Sequence, residues 1–219
     1  MSFLLSGRRA DAIPDSGLLH DWEASNFDGS TWTDQEGSVD LSATGGPTLV
    51  QDAINGEPVV SFDSGDLFDG TGIDQSTPFV MFAVVDLVDN GEIQGLYSDS
   101  RDGEGGEPNL LYRFDSNESY RIVSGGSNFE STPIQSGVQI NTFDYNGGSS
   151  AVRVNNSEIG TGTLSSDTLG DIRIGTQVGF SGRDFVSDIA RILVYDRSQM
   201  ATGQIADVED SLNSIYGAY

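Results

Sequence analysis

The stretch from Asp184 to Gly217 constrains the fold most, because one periodicity gives way to another across a sharp break. From Phe185 to Tyr195, Ile189, Arg191, Leu193 and Tyr195 fall on one face of an extended chain and Ala190, Ile192 and Val194 on the other. Both faces are largely apolar, which predicts a central strand covered on two sides. Asp196, Arg197 and Ser198 then interrupt the pattern. Beyond Met200 the spacing becomes helical, with Ile205, Val208, Leu212, Ile215 and Tyr216 on one stripe and Asp207, Glu209 and Asp210 expected in water. Thr202 is the expected N-cap, and Gly217 stands where a left-handed residue closes a helix.

The rest of the chain reads as strands. Ile93–Tyr97, Asn109–Phe114, Ser119–Val123, Val138–Tyr145, Ala151–Val154 and Ile172–Gly175 are short, partly alternating runs separated by Gly, Ser, Asn and Asp. Val138–Tyr145 and Ser150–Asn155, joined around Gly147 and Gly148, form the clearest hairpin. Short strands, 28 glycines and a single terminal helix predict an all-β sandwich. Residues 14–219 are expected to form one domain, preceded by an arm over residues 1–13. In that arm Phe3, Leu4 and Leu5 form an apolar patch suited to docking on a partner or a neighbouring copy; an edge strand of the same domain is the alternative.

The charge is unusual. The 219 residues carry 34 acids against 10 basic residues, every one of them arginine, for a formal net charge of −24. The acids are spread along the whole chain, which excludes an acidic tail and points to work at molar salt, where the Debye length falls to about 3 Å and self-repulsion is screened. Nucleic-acid and membrane partners are not expected. The longest apolar run, Phe79–Val85, fits a buried strand, far short of the roughly 20 residues of a membrane helix. There are no cysteines, so neither disulfides nor thiolate metal sites arise. Arg8 and Arg9 follow rather than precede a short apolar patch, the wrong order for a secretory signal, so assembly in the cytoplasm is expected.

Four segments carry a family resemblance. The run from Ser187 to Arg197, followed by Val208, Glu209, Leu212, Tyr216 and Gly217, resembles the final strand and helix of laminin-G-like domains in the concanavalin A-like jelly-roll superfamily. Arg191 stands where that family usually has an acid. Glu23-Ala24-Ser25 with Trp32–Gly37, then Gly56–Asp63, then Pro78–Val85, are similar to earlier segments of the same family, in the same order. The resemblance implies a concanavalin A-like, laminin-G-like jelly-roll sandwich with one C-terminal amphipathic helix. It is nearly silent about the ligand.

The chemistry reads as binding rather than catalysis. His20 is the sole histidine and lies in an expected strand, with no nucleophile elbow elsewhere, so a structural role is expected. The alternating acid motif usual in the superfamily's glucanases is absent, and with 34 acids chance carboxylate pairs carry no weight. Oxygen-rich glycine loops suit calcium, and the resemblance implies it: Asp63, Asp66 and Asp69 form one candidate set, and Asp99, Asp102, Glu104 and Glu107 sit in a second loop. For sugars, Trp32, Tyr112, Tyr120, Phe129 and Tyr145 lie beside polar loops. Asp99, Asp102, Glu104, Tyr112 and Phe129 are the candidate ligand-binding set.

Together these features lead to a non-enzymatic, homo-oligomeric structural protein on the virion surface of a halophilic virus. It is expected to be assembled in the host cytoplasm, to attach to other virion proteins through its arm, and to contact host-surface glycans through its sandwich. The alternatives are an architectural decoration protein without ligand, and a cell-surface or extracellular glycan-binding or glycan-cleaving protein of a halophile.

Overall fold

A computed structural model describes residues 12–76, 78–99, 119–131 and 134–219 in full and the backbone of 109–114. In chain order the strands begin with β1 (Leu18–Glu23), β2 (Thr31–Trp32), β3 (Leu41–Thr44), β4 (Thr48–Ile54), β5 (Glu57–Ser61) and β6 (Leu67–Gly70). Next come β7 (Gln75–Ser76), β8 (Phe79–Leu87), β9 (Gln94–Asp99), β10 (Asn109–Phe114), β11 (Ser119–Ser124) and β12 (Ser127–Ser131). The last are β13 (Gly137–Tyr145), β14 (Ser150–Val154), β15 (Ser157–Gly162), β16 (Thr168–Leu169), β17 (Ile172–Ile174) and β18 (Asp188–Asp196), with one helix, α1 (Gln204–Tyr216).

Two antiparallel sheets face each other. One has the order β15-β14-β13-β8-β18-β5-β4, with β1 sharing the free edge of β18; the other runs β12-β11-β10-β9-β17-β6-β3-β2. This is the all-β jelly-roll-type sandwich with a single C-terminal helix that the sequence predicts. In the second sheet Ala43, Phe68, Ile174, Tyr97, Ile122 and Phe129 lie in one cross-strand row, all against the interior. The neighbouring row, Ser42, Asp69, Arg173 and Ser98, is polar and faces outward, the alternation that a half-covered sheet requires.

β8 explains why its run is apolar throughout. Phe79, Met81, Ala83 and Val85 point into the sandwich, while Val80, Phe82 and Val84 point the other way, under α1. Trp22 and Trp32 are fully buried, and each indole N–H donates to a backbone carbonyl, of Val39 and Glu23 respectively.

Three sequence expectations change. In β18 the strict alternation breaks at Ala190, where the register against β8 slips between Ile189 and Arg191. Ile189 therefore joins Ile192 and Val194 on the sandwich side, and Ala190 joins Leu193 and Tyr195 beneath the helix. A bulge adds one residue to one strand, so two neighbours share a face. Second, the N-cap is Gly203 (φ 86°), not Thr202, and the Gln204 side chain reaches back to accept the Ala201 N–H at 2.8 Å. Gly217 (φ 63°) closes the helix as expected.

Third, Glu209 does not face water; it is fully buried. It accepts from Thr142 Oγ1 at 2.7 Å on β13 and from Arg153 Nε and Nη2 at 3.0 Å each on β14. Arg153 is locked further by Asn156. The ion pair pins α1 across the sheet, and the same packing reaches the chain start: Ile13 docks on the helix-side core and Tyr195 Oη donates to the Pro14 carbonyl at 2.7 Å. Asp207 and Asp210 are exposed as expected.

Candidate functional site

His20 is structural, as read from the sequence. Its Nδ1 lies 2.7 Å from Asp34 Oδ2, and its ring stacks on Trp22 at 5.2 Å. Asp34 is a hub: the N–H groups of Asp21, Glu36 and Gly37 donate to Oδ1, and that of Val39 to Oδ2. Burial raises its carboxyl, but the bonds from His20 and from the amides of Asp21 and Gly37 outweigh burial and hold it down at about 2.

The expected calcium set does not assemble. Asp66 is buried and accepts the N–H of Gly46 at 2.6 Å and of Asp63 at 2.8 Å, while Asp69 forms a two-point ion pair with Arg173 at 2.7 and 2.9 Å. These carboxylates fix a turn and bridge two strands. Among the described residues no group of three or more His, Asp or Glu side chains is arranged to hold a metal ion.

Of the expected ligand set, Asp99 and Phe129 are the members whose side chains are described. Asp99 is 2% exposed and accepts the Gly170 N–H at 2.7 Å, a backbone brace. Phe129 is half-buried against the core, its ring filling the space that a Cβ on Gly162 would occupy. Asp102, Glu104, the Tyr112 side chain, and Phe3, Leu4 and Leu5 lie outside the described residues. Trp32, Tyr120 and Tyr145 are all fully buried, which removes them as sugar platforms. Tyr145 stacks on Phe79 at 4.4 Å, and Tyr120 Oη donates to Gln139 at 2.7 Å.

Among the described residues two aromatics are exposed, Tyr219 at 49% beyond α1 and Phe180 at 43% on the loop between β17 and β18. Both ends of that loop are fastened. Gly175 donates to the Leu96 carbonyl, Phe185 is buried against Phe62, and Gln94 Oε1 accepts the Val186 N–H. Asp184 accepts from Ser64 Oγ at 2.8 Å, the Gly65 N–H at 3.2 Å and Thr176 Oγ1 at 3.2 Å. Glycine at position 95 lets the loop lie directly on β9, where a Cβ would sit 2.6 Å from the Gln177 nitrogen. At the tip the Arg183 guanidinium covers one side of the Phe180 ring at 4.0 Å and bonds to Gln177. Burial, with Arg121 nearby, moves the Arg183 pKa down.

Beside this loop lies a cleft of about 220 Å³ lined by Ser64, Asn90, Glu92, Ile93, Gly182, Asp184 and Val186. The lining combines aliphatic Ile93 and Val186 with the amide and carboxylate of Asn90 and Glu92, and Phe180 stands on the same loop two residues before Gly182. Phe180 sits in Gly179-Phe180-Ser181-Gly182, the only aromatic of a glycine-rich polar stretch. The signal used for the other aromatics, a ring beside Asp, Asn and Gly, applies to it equally.

No family model matches the sequence, and no curated protein matches it. Solved structures do resemble it. A Trypanosoma rangeli sialidase in complex with sialic acid superposes with a TM-score of 0.70 at 17% identity, over 93% of this chain and 34% of that one. The chain thus spans about a third of the sialidase's length. Domain 4 of AbnA, a GH43 extracellular arabinanase from Geobacillus stearothermophilus in complex with arabinotriose, matches with a TM-score of 0.66 at 16% identity, over 89% of this chain and 98% of that one. The binding domain of botulinum neurotoxin DC in complex with SialylT matches with a TM-score of 0.64 at 13% identity, over 90% of this chain and 51% of that one. At these identities the shared property is the β-sandwich.

Proposed function

We propose that this chain is a non-catalytic glycan-binding module in which a sugar ring stacks on Phe180 and its hydroxyls meet Asn90 and Glu92. The observation that carries the reading is an exposed aromatic on a fastened loop whose Gly182 and Asp184 line a polar cleft, while the other described candidate rings are buried or packed against the core. The similar arabinanase domain and neurotoxin domain, each described in complex with a saccharide, support it as analogy at the level of fold. Hydrolysis would need two available carboxylates across the cleft. Asp184 is tied by three hydrogen bonds, which leaves Glu92 alone and favours binding. On the charge argument we assign the module to the surface of a virion or cell living at molar salt; that assignment, with the homo-oligomer and the docking arm, rests on the sequence.

The test is adsorption of the labelled protein to intact haloarchaeal cells, before and after enzymatic deglycosylation, in about 2 M NaCl. Wild type is expected to bind in a sugar-dependent way, and Phe180→Ala to lose at least tenfold in affinity, the loss of one stacking platform. Unchanged binding by the variant would remove Phe180 from the site. Absence of any sugar-dependent binding would sink the glycan reading and leave an architectural component.

A further inference from the structure

A second concavity of about 290 Å³ lies on the opposite side of the molecule's first sheet, between the start of α1 and the β13–β14 hairpin. Its walls belong to regular elements: Asp144 on β13, Ala151 and Arg153 on β14, and Ile205 and Ala206 in the first turn of α1. Arg197, from the turn after β18, and Glu158 complete the charged rim.

The side chains divide into saturated and unsaturated groups. Arg153 is saturated by Glu209 and Asn156. Asp144 is 6% exposed, and its Oδ1 is buried with no partner at all. Its Oδ2 receives one long contact, Arg197 Nε at 3.3 Å, and burial pushes the carboxyl up against the pull of Arg197 and then Arg153. No hydrogen bond engages the terminal nitrogens of Arg197 among the described residues. A buried carboxylate with one oxygen unpartnered among the described residues has hydrogen-bonding capacity left for a water or a ligand hydroxyl.

Charge decides the class of that group. Glu209 answers Arg153, Asp144 answers Arg197, and Glu158 is an acid beyond these pairs, so the cleft has no positive surplus for a phosphate, sulfate or carboxylate. What it offers is an acceptor beside a donor over a small apolar floor of Ala151, Ile205 and Ala206. We propose that this cleft is a second ligand site, for one neutral hexopyranose, with a ring hydroxyl donating to Asp144 and accepting from Arg197 while the C–H face rests on the alanines. The volume lies at the lower end of small-ligand sites, enough for a single ring rather than a chain. The proposal is independent of Phe180.

The test uses the full chain with labelled Ala and Ile methyl groups in about 2 M NaCl, titrated with the methyl α-glycosides of glucose, mannose and galactose to about 50 mM. Saturable shifts of the Ala151, Ile205 and Ala206 methyls with at least one glycoside are expected, in wild type and in Phe180→Ala alike. Arg197→Gln leaves Asp144 without its charged partner, so it is expected to lower the melting temperature and, in the folded protein below that temperature, to weaken binding at least tenfold, and Asp144→Asn to weaken it likewise. Absence of saturable shifts with all three sugars would overturn the proposal, as would tighter binding of methyl glucuronide or unchanged binding in Arg197→Gln. Loss of the response in Phe180→Ala alone would show that the shifts report the other site, and would equally overturn it.

Discussion

The buried pair that anchors α1 gives the sharpest quantitative prediction. Glu209 is fully buried, whereas the Arg153 side chain retains 21% exposure and keeps its contacts to Asn156. Removing one partner of a buried pair costs about 3–5 kcal/mol, because the partner left behind is an uncompensated charge. Arg153→Ala leaves the more deeply buried charge, with only Thr142 to satisfy it, and is expected to cost the full amount, about 4 kcal/mol. At about 2–4 °C per kcal/mol for a domain of this size, that lowers the melting temperature by roughly 8–16 °C. Glu209→Ala leaves an arginine able to turn toward the adjoining cleft and should cost less, about 2–3 kcal/mol. The double variant Arg153→Met with Glu209→Met removes both charges and keeps the volume, so it should lie within about 1 kcal/mol of wild type. Thermal and urea unfolding of the four proteins, followed by circular dichroism at low and at molar salt, form the cycle. Since solvent ions do not reach between the partners, the coupling energy should be equal in both salts. Additive single effects, or a coupling that vanishes at high salt, would refute the buried-pair account.

Three further outcomes are expected. With a net charge of −24, the wild-type melting temperature should rise markedly between about 0.1 and 2 M NaCl as repulsion is screened; a flat profile would remove the argument for a halophilic habitat. Asp34 has its pKa lowered in the folded state from 3.8 to about 2, so its contribution is present above pH 3.8 and is lost as the pH falls from there toward 2. That contribution is about 2 kcal/mol at most, and Asp34→Asn should flatten the acid limb of the stability curve measured by urea unfolding over that window. A wild-type slope in the variant would show that Asp34 is not the group responsible. Finally, a Cβ at position 162 would lie 2.4 Å from the Phe129 ring, so Gly162→Ala should cost about 1–3 kcal/mol, and pairing it with Phe129→Leu should recover part of that in a thermal melt. No recovery would mean that the strain lies elsewhere.

Local pattern carried much of the architecture. The passage from β18 to α1, the doubly apolar run of β8, the β13–β14 hairpin and the strands at 94–99, 119–124 and 172–174 are all legible in the sequence, because burial on one or two faces writes a period of two or 3.6 into the chain. β4 and β15 are not, since they are largely exposed edge strands whose polar residues leave no such trace.

The errors share one cause. Nothing local to Ala190 reveals a bulge, which exists only in its register against β8. Glu209 reads as a solvated helix residue until Arg153, 56 positions away, is brought beneath it. Asp66 and Asp69 read as cation ligands until Gly46 from the β3–β4 turn and Arg173 from β17 arrive as their partners. Tyr120, Tyr145 and Phe180 are chemically alike as platforms, yet only the last stands on a loop that the sandwich leaves uncovered. Composition and periodicity determined the class of fold and the C-terminal helix, both properties of neighbours in sequence. Which carboxylates are spent on structure, which ring stays in water and where the two clefts open were decided by contacts between residues far apart in the chain, which form only when both sheets and the helix close on one another.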